Sequence, residues 1–207
     1  MEDNILPHNW FDEGQTGFSF EKLSSERLDE AERLCAECVG KNLYPKSYLQ
    51  SALTDESRFF YILTAENGEL AGYIHFSLTD VSGMAALSKL PKERLLAITD
   101  NNAPIIGNLQ SIAVADKFAH QKLSVPLVRF YLDYLQKHTN ADISMGVFWN
   151  INGFVPMEKT LRALGFSYLS DAKRVWYDNK RLVCPYCKGR CECGASVYYK
   201  LLGGRKQ

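Results

Sequence analysis

The chain has 207 residues, with 24 acidic and 24 basic side chains and a formal net charge of zero. Apolar residues make up 46% and aromatic residues 12%, enough to bury the core of one domain. A balanced charge argues against a nucleic-acid or anionic-membrane partner, and no apolar run approaches the roughly 20 residues that span a bilayer.

The N-terminal half predicts one strand, two helices and a hairpin. We interpret residues 1–15 as a tail, without the basic and apolar regions of a signal peptide, and residues 16–207 as one domain. Alternating side chains predict a strand over 16–23. Apolar spacing predicts a helix from Ser24 or Ser25 to about residue 39, and a short helix over 45–53. The strands 58–65 and 69–78 flank Asn67-Gly68, a pair typical of a tight turn with positive φ angles.

The C-terminal half alternates strands and helices after an irregular stretch. Residues 80–104 are interpreted as an insertion beside the active site, with a helix over 91–98. Strands are predicted over 105–114, 141–148, 167–183 with a possible break, and 195–202. Helices are predicted over 125–137 and 156–164. This order favours a mixed α+β fold, a central and mostly antiparallel sheet with helices on both faces.

Two stretches resemble the GNAT acyl-CoA N-acyltransferases. From Asn108 the chain reads NLQSIAVADKFAHQKLSVPLVRFYLDYL, which is similar to the strand, loop and helix of that family's acetyl-CoA motif. The run VFWNIN at 147–152, followed by LGF at 164–166, is similar to a second family signature. The resemblance implies the GNAT fold, acetyl-CoA as cosubstrate and direct acetyl transfer to an amine.

The resemblance also assigns a cofactor site, although the loop departs from the family pattern. Family members carry two glycines there, so that bare backbone N–H groups reach the CoA diphosphate at a helix N-terminus. We expect the backbone amides here to serve without glycine, with Ser124 as helix cap; an ordinary solvated loop is the alternative. The matching residues are Ala119, His120, Gln121, Lys122, Leu123 and Ser124.

The strand before this loop and the asparagines after the next strand complete the predicted cofactor site. In this fold the strand carrying Ile112, Ala113 and Val114 splays from its neighbour, which leaves N–H groups free to polarise the thioester carbonyl. Asn150 and Asn152 are candidates to bind the pantetheine amides, with turn formation as the alternative.

The usual proton carriers of the family are missing. Leu161 stands where a tyrosine acid is common, and a base would fall near Asn108 or Gln110, neither of which accepts a proton. Asp80, Asp100, Glu158 and His75 are weighed as replacements, with solvated or structural roles as the alternative. A catalytically inactive ligand sensor or interaction module is therefore the alternative function.

Four cysteines lie in the pattern C-x2-C-x3-C-x-C, close enough to hold one tetrahedral Zn²⁺. They predict a structural zinc knot in a hairpin over 184–194, with a redox thiol cluster or an iron–sulfur site as alternatives. We expect a cytoplasmic protein, since the sequence shows neither a signal peptide nor a membrane span. In a reducing cytoplasm the cysteine grouping favours metal over disulfides, and Cys35 and Cys38 are assigned to packing. The expected partners are an acyl-CoA and an amine-bearing small molecule or protein, with a homodimer as a possible assembly. The predicted metal ligands are Cys184, Cys187, Cys191 and Cys193.

Overall fold

The computed structural model describes residues 10–203, which form one seven-stranded sheet with six α-helices. The strands lie in the order β1-β2-β3-β4-β5-β7-β6, and all neighbours are antiparallel except β4 and β5, which are parallel. The strands are β1 Phe18–Lys22, β2 Arg58–Ala65, β3 Leu70–Thr79, β4 Ile106–Val114, β5 Ile143–Asn150, β6 Ser167–Lys173 and β7 Gly194–Leu201. The helices are α1 Leu28–Cys38, α2 Lys46–Ala52, α3 Val81–Ser88, α4 Lys92–Leu96, α5 Ser124–His138 and α6 Glu158–Ala163.

Helices cover both faces of the sheet. The helices α5 and α6 bury Leu127 and Leu161 against one face, together with Phe76 of β3. The helices α1 to α4 lie on the opposite face, where Leu34 of α1 packs near Tyr73. The alternating side chains of the central strands supply both cores, as a sheet covered on two sides requires.

A bulge in β4 reverses which side chains face each core. Leu109 pairs with Phe76 and Ser111 pairs with His75, so Gln110 is the extra residue. Leu109 contributes to the α5 core, whereas Ala113 contributes to the α1 core. Without the bulge both residues would point the same way, since alternate residues of a strand share a face.

The predicted hairpin between β2 and β3 is present, although its turn is of another type. Gly68 has φ +82, while Asn67 has no positive φ. The Gly68 N–H donates to the Ala65 carbonyl at 2.8 Å, and the Ala65 N–H donates to Glu69 at 2.9 Å. This is a three-residue loop that ends in a glycine bulge rather than a two-residue loop.

The last part of the predicted N-terminal tail, from Trp10 onward, packs against the domain. Residues 1–9 lie outside the described residues. Trp10 is 5% exposed and packs edge-on against Phe20 and Phe130. Arg129 holds this segment by donating to the Trp10 carbonyl at 3.0 Å and to Asp12 at 2.6 Å. Single large aromatic residues carry no periodicity, which is why the sequence pattern missed this contact.

The stretch predicted as an insertion contains one helix that the sequence pattern did not predict. Gly83 and two serines weaken the apolar signal of α3, yet Asp80 caps it by accepting from the Gly83 N–H at 2.7 Å. Within residues 10–203, no helix is both long enough and apolar enough to cross a membrane.

Candidate functional site

The central feature of the sheet is the separation of β4 from β5. The two strands pair only over Ile106 to Leu109 and Ile143 to Gly146. Beyond Leu109, β4 continues beside β3, and beyond Gly146, β5 continues beside β7. The facing edges of both strands therefore carry backbone N–H and C=O groups without a strand partner. The splay predicted for Ile112, Ala113 and Val114 is present.

A cleft of about 220 Å³ fills the gap between the two strands; we call it the strand cleft. Its walls include Cys38 at the end of α1 and Met157 before α6, so side chains from both faces of the sheet meet there. The remaining lining residues are Val39, Leu43, Gln110, Ser111, Ile112, Ala113, Val114, Val147, Phe148, Trp149, Pro156, Trp176 and Tyr186.

A second cavity, of about 200 Å³, adjoins the strand cleft; we call it the side cavity. The two share Leu43, Gln110, Val147 and Trp176 as common walls. The side cavity is further lined by Tyr44, Leu87, Asn108, Leu109 and Val175. The side cavity thus lies next to the strand cleft, on the side of α3 and the loop after β6.

The loop before α5 presents bare backbone amides. Its φ angle is +66 at His120 and +57 at Lys122, and is negative at Ala119 and Leu123 on either side. A left-handed residue followed by a right-handed helical one, as at Lys122 and Leu123, is the backbone pattern of an anion-binding concavity. The N–H groups of residues 120–124 donate no hydrogen bond to any other described residue. The side chains of Ala119, His120, Gln121 and Lys122 are exposed, whereas Leu123 is buried and anchors the loop.

Ser124 does not cap α5, which corrects the prediction. The cap position is occupied by Leu123, and the Ser124 hydroxyl instead lies 2.9 Å from the Thr160 hydroxyl of α6. This bond joins the start of α5 to α6, and Pro156 and Met157 just before α6 line the strand cleft. The bare amides and the cleft therefore lie at the same end of the sheet.

No protein-family model matches the sequence, and no curated protein sequence matches it with statistical significance.

Solved structures do match, over nearly the whole chain. NAA60 of Arabidopsis thaliana, in complex with acetyl-CoA, has a TM-score of 0.67 at 9% identity, covering 90% of this chain and 99% of NAA60. The ribosomal-protein-S18-alanine N-acetyltransferase of Escherichia coli has a TM-score of 0.61 at 14% identity, covering 92% and 98%. The spermidine N-acetyltransferase of Vibrio cholerae, in complex with CoA and spermine, has a TM-score of 0.60 at 11% identity, covering 90% and 94%.

The chain has the GNAT fold. At these identities the likeness establishes the GNAT architecture alone. The GNAT-like strand and helix of the sequence are β4 and α5. Lys122, which the sequence resemblance matches to a family glycine, adopts the positive φ that glycine would take without strain.

The two asparagines lie outside the strand cleft. Asn150 donates to the Ser196 hydroxyl at 2.9 Å and accepts from the Gly153 N–H at 2.7 Å. Asn152 has φ +53 and occupies the turn after β5. Both asparagines take part in the turn after β5, and neither lines the strand cleft within the described chain.

The candidate proton carriers all lie outside the two cavities, and most of them have a structural role. Leu161 is fully buried in the α5 core. Glu158 pairs with Arg162, whose hydrogen bond is the main cause of the lowered pKa of that carboxyl. Asp80 caps α3, and Asp100 lies in the exposed loop before β4. None of these residues lines the strand cleft or the side cavity within the described chain.

His75 belongs to a buried network beside the bulge. Its Nδ1 lies 3.0 Å from the Phe59 carbonyl and must donate to it, so Nε2 accepts from the Tyr48 hydroxyl at 2.9 Å. That hydroxyl also lies 3.4 Å from Gln110 Oε1. Burial lowers the pKa of His75 to about 4, so the ring is neutral at physiological pH and is a weak base.

The four cysteines converge as predicted. Their sulfur atoms all lie within 4.8 Å of one another, and Cys193 Sγ is 3.8 Å from that of Cys184 and 3.5 Å from that of Cys187. Tetrahedral zinc with bonds of about 2.3 Å requires sulfur separations of about 3.8 Å. Cys184 and Cys191 are buried, and the Glu192 N–H donates to Cys187 Sγ at 3.4 Å. The residues present fit a zinc ion.

The cysteine knot also forms a wall of the strand cleft, which the sequence did not reveal. Tyr186, between the first two cysteines, packs edge-on against Trp149 of β5, and Trp149 packs against Trp176. Gly40 after α1 makes this approach possible, because a Cβ there would lie 2.7 Å from the Val183 carbonyl. The only available signal was the presence of aromatic residues within and beside the cysteine cluster.

Proposed function

We propose that this protein is an acetyl-CoA-dependent N-acetyltransferase that transfers the acetyl group directly to an amine. The observation that carries the proposal is that the unpaired edge of β4 and the free backbone N–H groups before α5 lie at the same end of the sheet. The amides, with Lys122 and His120 beside them, suit a diphosphate. The β4 edge suits the pantetheine arm and the thioester.

The chemistry follows from these positions. A backbone N–H of the β4 segment Ile112, Ala113 and Val114 polarises the thioester carbonyl. The amine nitrogen attacks the carbonyl carbon, the carbon–sulfur bond breaks, and CoA leaves as the thiolate. The amine proton passes to water. Positioning of the two substrates in one cleft supplies most of the rate acceleration, since no covalent enzyme intermediate is required.

Calorimetric titration with acetyl-CoA tests the cofactor site. We expect binding that Lys122→Glu weakens about tenfold or more through charge repulsion with the diphosphate. Lys92→Glu on α4 makes the same charge change away from the loop and should leave the affinity unchanged. Absence of binding at millimolar acetyl-CoA would remove the proposal.

A non-catalytic ligand sensor is the second candidate, and the buried Leu161 favours it. A protein of this kind would bind acetyl-CoA without turning it over. Release of CoA in the presence of a panel of primary amines, followed with a thiol reagent, distinguishes the two functions. Turnover that is lost in Lys122→Glu supports the enzyme.

We further propose that the cysteine knot holds one structural Zn²⁺, since four thiolates leave no open coordination position. The reduced thiols that zinc requires suit a cytoplasmic location. Elemental analysis should find one zinc per chain. Iron with visible absorption, or intramolecular disulfides, would instead support the iron–sulfur or redox alternatives.

A further inference from the structure

If the thioester lies at the β4 edge, the acceptor amine must approach it through the strand cleft or the side cavity, and the side chains that line both are alike in charge. Within residues 10–203, every side chain that lines the strand cleft or the side cavity is of an uncharged type. Burial raises the pKa of the Cys38 thiol to about 11 and raises the pKa of Tyr44, so both groups remain neutral near pH 7. Polar contacts come from the amides of Asn108 and Gln110 and the hydroxyl of Ser111.

A bound ammonium group would have no counter-charge in this opening. Transfer of an unpaired cation from water into a site of this kind is unfavourable. Amide and hydroxyl oxygens can accept a hydrogen bond from a neutral amine at much lower desolvation cost. The lining therefore selects for the uncharged form of the acceptor.

Within residues 10–203, no side chain that lines the strand cleft or the side cavity is a strong base that could remove a proton from the bound amine. His75 and Tyr48 are the titratable groups in the network that reaches Gln110, and the Tyr48 hydroxyl already occupies Nε2 of His75. The guanidinium of Arg58 lies over the Tyr48 ring, 5.1 Å from its centroid, which further opposes protonation of that network. The amine must therefore lose its proton before it enters.

Amines differ greatly in the fraction that is uncharged near neutral pH. At about pH 7.5, roughly a third of an α-amine with a pKa near 7.8 is uncharged, against roughly one part in a thousand of a lysine-type amine. Arylamines are uncharged under these conditions. The expected preference from this effect alone exceeds 100-fold.

The shape of the side cavity adds a second requirement. Its walls combine Leu43, Leu87 and Val175 with the ring systems of Tyr44 and Trp176, and its volume of about 200 Å³ suits one apolar group. A second charged group on the acceptor, as in a polyamine, would meet apolar surface there.

We propose that the acceptor is an amine that is largely uncharged near neutral pH and carries an apolar group beside the nitrogen. Two sources share this chemistry: a peptide α-amine whose first side chain is large and apolar, and a small arylamine. This inference rests on the proposed acetyltransferase function and names the acceptor class of the same site.

A defined panel tests the acceptor class after calorimetry has established acetyl-CoA binding on the same preparation. The panel contains a tetrapeptide with a free N-terminal leucine, its N-terminally blocked counterpart with an internal lysine, spermidine, and an aniline derivative. We expect kcat/KM for the leucine peptide or the aniline to exceed that for the lysine peptide and spermidine by at least about 100-fold. Which of the first two is preferred identifies the source.

A substitution at the rim of the side cavity supplies a second readout. Leu87 is 43% exposed, so Leu87→Asp should fold while placing a carboxylate beside the acceptor. We expect it to shift kcat/KM toward spermidine and the lysine peptide by about tenfold or more. Leu201→Asp, at a leucine 52% exposed outside both cavities, should leave the preference unchanged.

The outcomes separate this inference from the proposed function. Best turnover of spermidine or the lysine peptide overturns the acceptor class while leaving the acetyltransferase function in place. Acetyl-CoA binding without turnover of any panel member overturns the acceptor class and favours the non-catalytic sensor. Failure to bind acetyl-CoA overturns the acetyltransferase proposal itself.

Discussion

Lys122 shows how a single residue can keep a backbone shape that glycine usually provides. Its φ of +57 belongs to the left-handed region, which costs an L-residue about 1 kcal/mol or more. The N–H groups of residues 120–124 have no acceptor within the described chain, and the Lys122 side chain adds a positive charge to this loop. The proposed diphosphate site therefore combines a strained backbone angle with a cation that attracts an anion.

Two substitutions at this position separate backbone strain from charge. Lys122→Gly and Lys122→Ala remove the same charge, but only glycine accepts the positive φ without strain. We expect the glycine variant to be more stable than the alanine variant by about 1 kcal/mol in urea unfolding. At Lys117, whose φ is not positive, the same pair should show no such advantage for glycine. Equal stability of the two Lys122 variants would contradict the strain.

His75 makes stability depend on pH. Burial lowers the pKa of the folded state to about 4, below the unfolded value of 6.5, so the folded protein binds fewer protons between these values. The contribution of His75 to the free energy of unfolding is therefore complete above pH 6.5 and declines as the pH falls. It is lost below pH 4, which is a change of about 3 kcal/mol.

Unfolding free energies measured between pH 4 and 7 check this sign. His75→Gln should flatten the decline, whatever its effect on absolute stability, because glutamine does not titrate. His138→Gln at an exposed histidine is the matched control and should retain the wild-type slope. An unchanged slope in His75→Gln would rule out this histidine as the source.

At the scale of elements, three devices create the opening. The parallel pairing of β4 and β5 stops after four residue pairs, and the bulge at Gln110 reverses the faces of β4. The long connection between β6 and β7 brings the cysteine knot to the strand cleft. Each device is small, yet together they expose backbone edges in the middle of a sheet. An interior strand edge of this kind persists because rigid neighbours hold both strands.

Loss of the knot should damage the acceptor side of the site more than the cofactor side. In Cys191→Ala we expect loss of zinc, a change in tryptophan fluorescence from Trp149 and Trp176, and an acceptor KM raised about tenfold. The bare amides before α5 are not formed by the knot, so the Kd for acetyl-CoA should change much less.

The control for this prediction is a cysteine of the other group. Cys35 is buried in α1 outside the knot, so Cys35→Ala should retain both the zinc and the acceptor KM. Full zinc occupancy in Cys191→Ala, or an acceptor KM that does not move when zinc is lost, would count against the coupling.

At the scale of the whole molecule, the ends of the described chain are tied to the sheet. The segment around Trp10 crosses β1 and α5, while β7 near the C-terminus is inserted between β5 and β6. Sequence-distant residues therefore share one core, which favours cooperative unfolding of the domain. The loop before α5 is also contacted by the N-terminal segment, since Gln15 donates to the Gln121 carbonyl at 2.6 Å.

Removal of the Trp10 side chain should destabilise the whole domain. Trp10→Ala leaves a cavity beside the stacked rings of Phe20 and Phe130, and we expect the free energy of unfolding in urea to fall by about 3 kcal/mol. Phe154→Ala, at an aromatic residue 64% exposed, should cost less than about 0.5 kcal/mol. Equal effects of the two substitutions would show that the N-terminal segment is not part of the core.

The sequence by itself determined the order of most elements and the convergence of the cysteines. Apolar periodicity placed α5 and the strands β2 to β5 within a few residues, because local burial patterns are written into alternating and helical spacings. The C-x2-C-x3-C-x-C spacing is short enough to force the sulfur atoms together. The likeness of residues 108–135 to a known motif led to the GNAT fold, which the tertiary structure confirmed.

Only the tertiary structure decided which side chains meet at the opening. It moved Ser124 from a capping role to a bond with Thr160, assigned Asn150 to a turn, and brought Trp149, Trp176 and Tyr186 together as a cleft wall. It also revealed the bulge at Gln110, the cap at Asp80 and the burial of Trp10. These features depend on contacts between distant segments, on which single-chain periodicity carries no information.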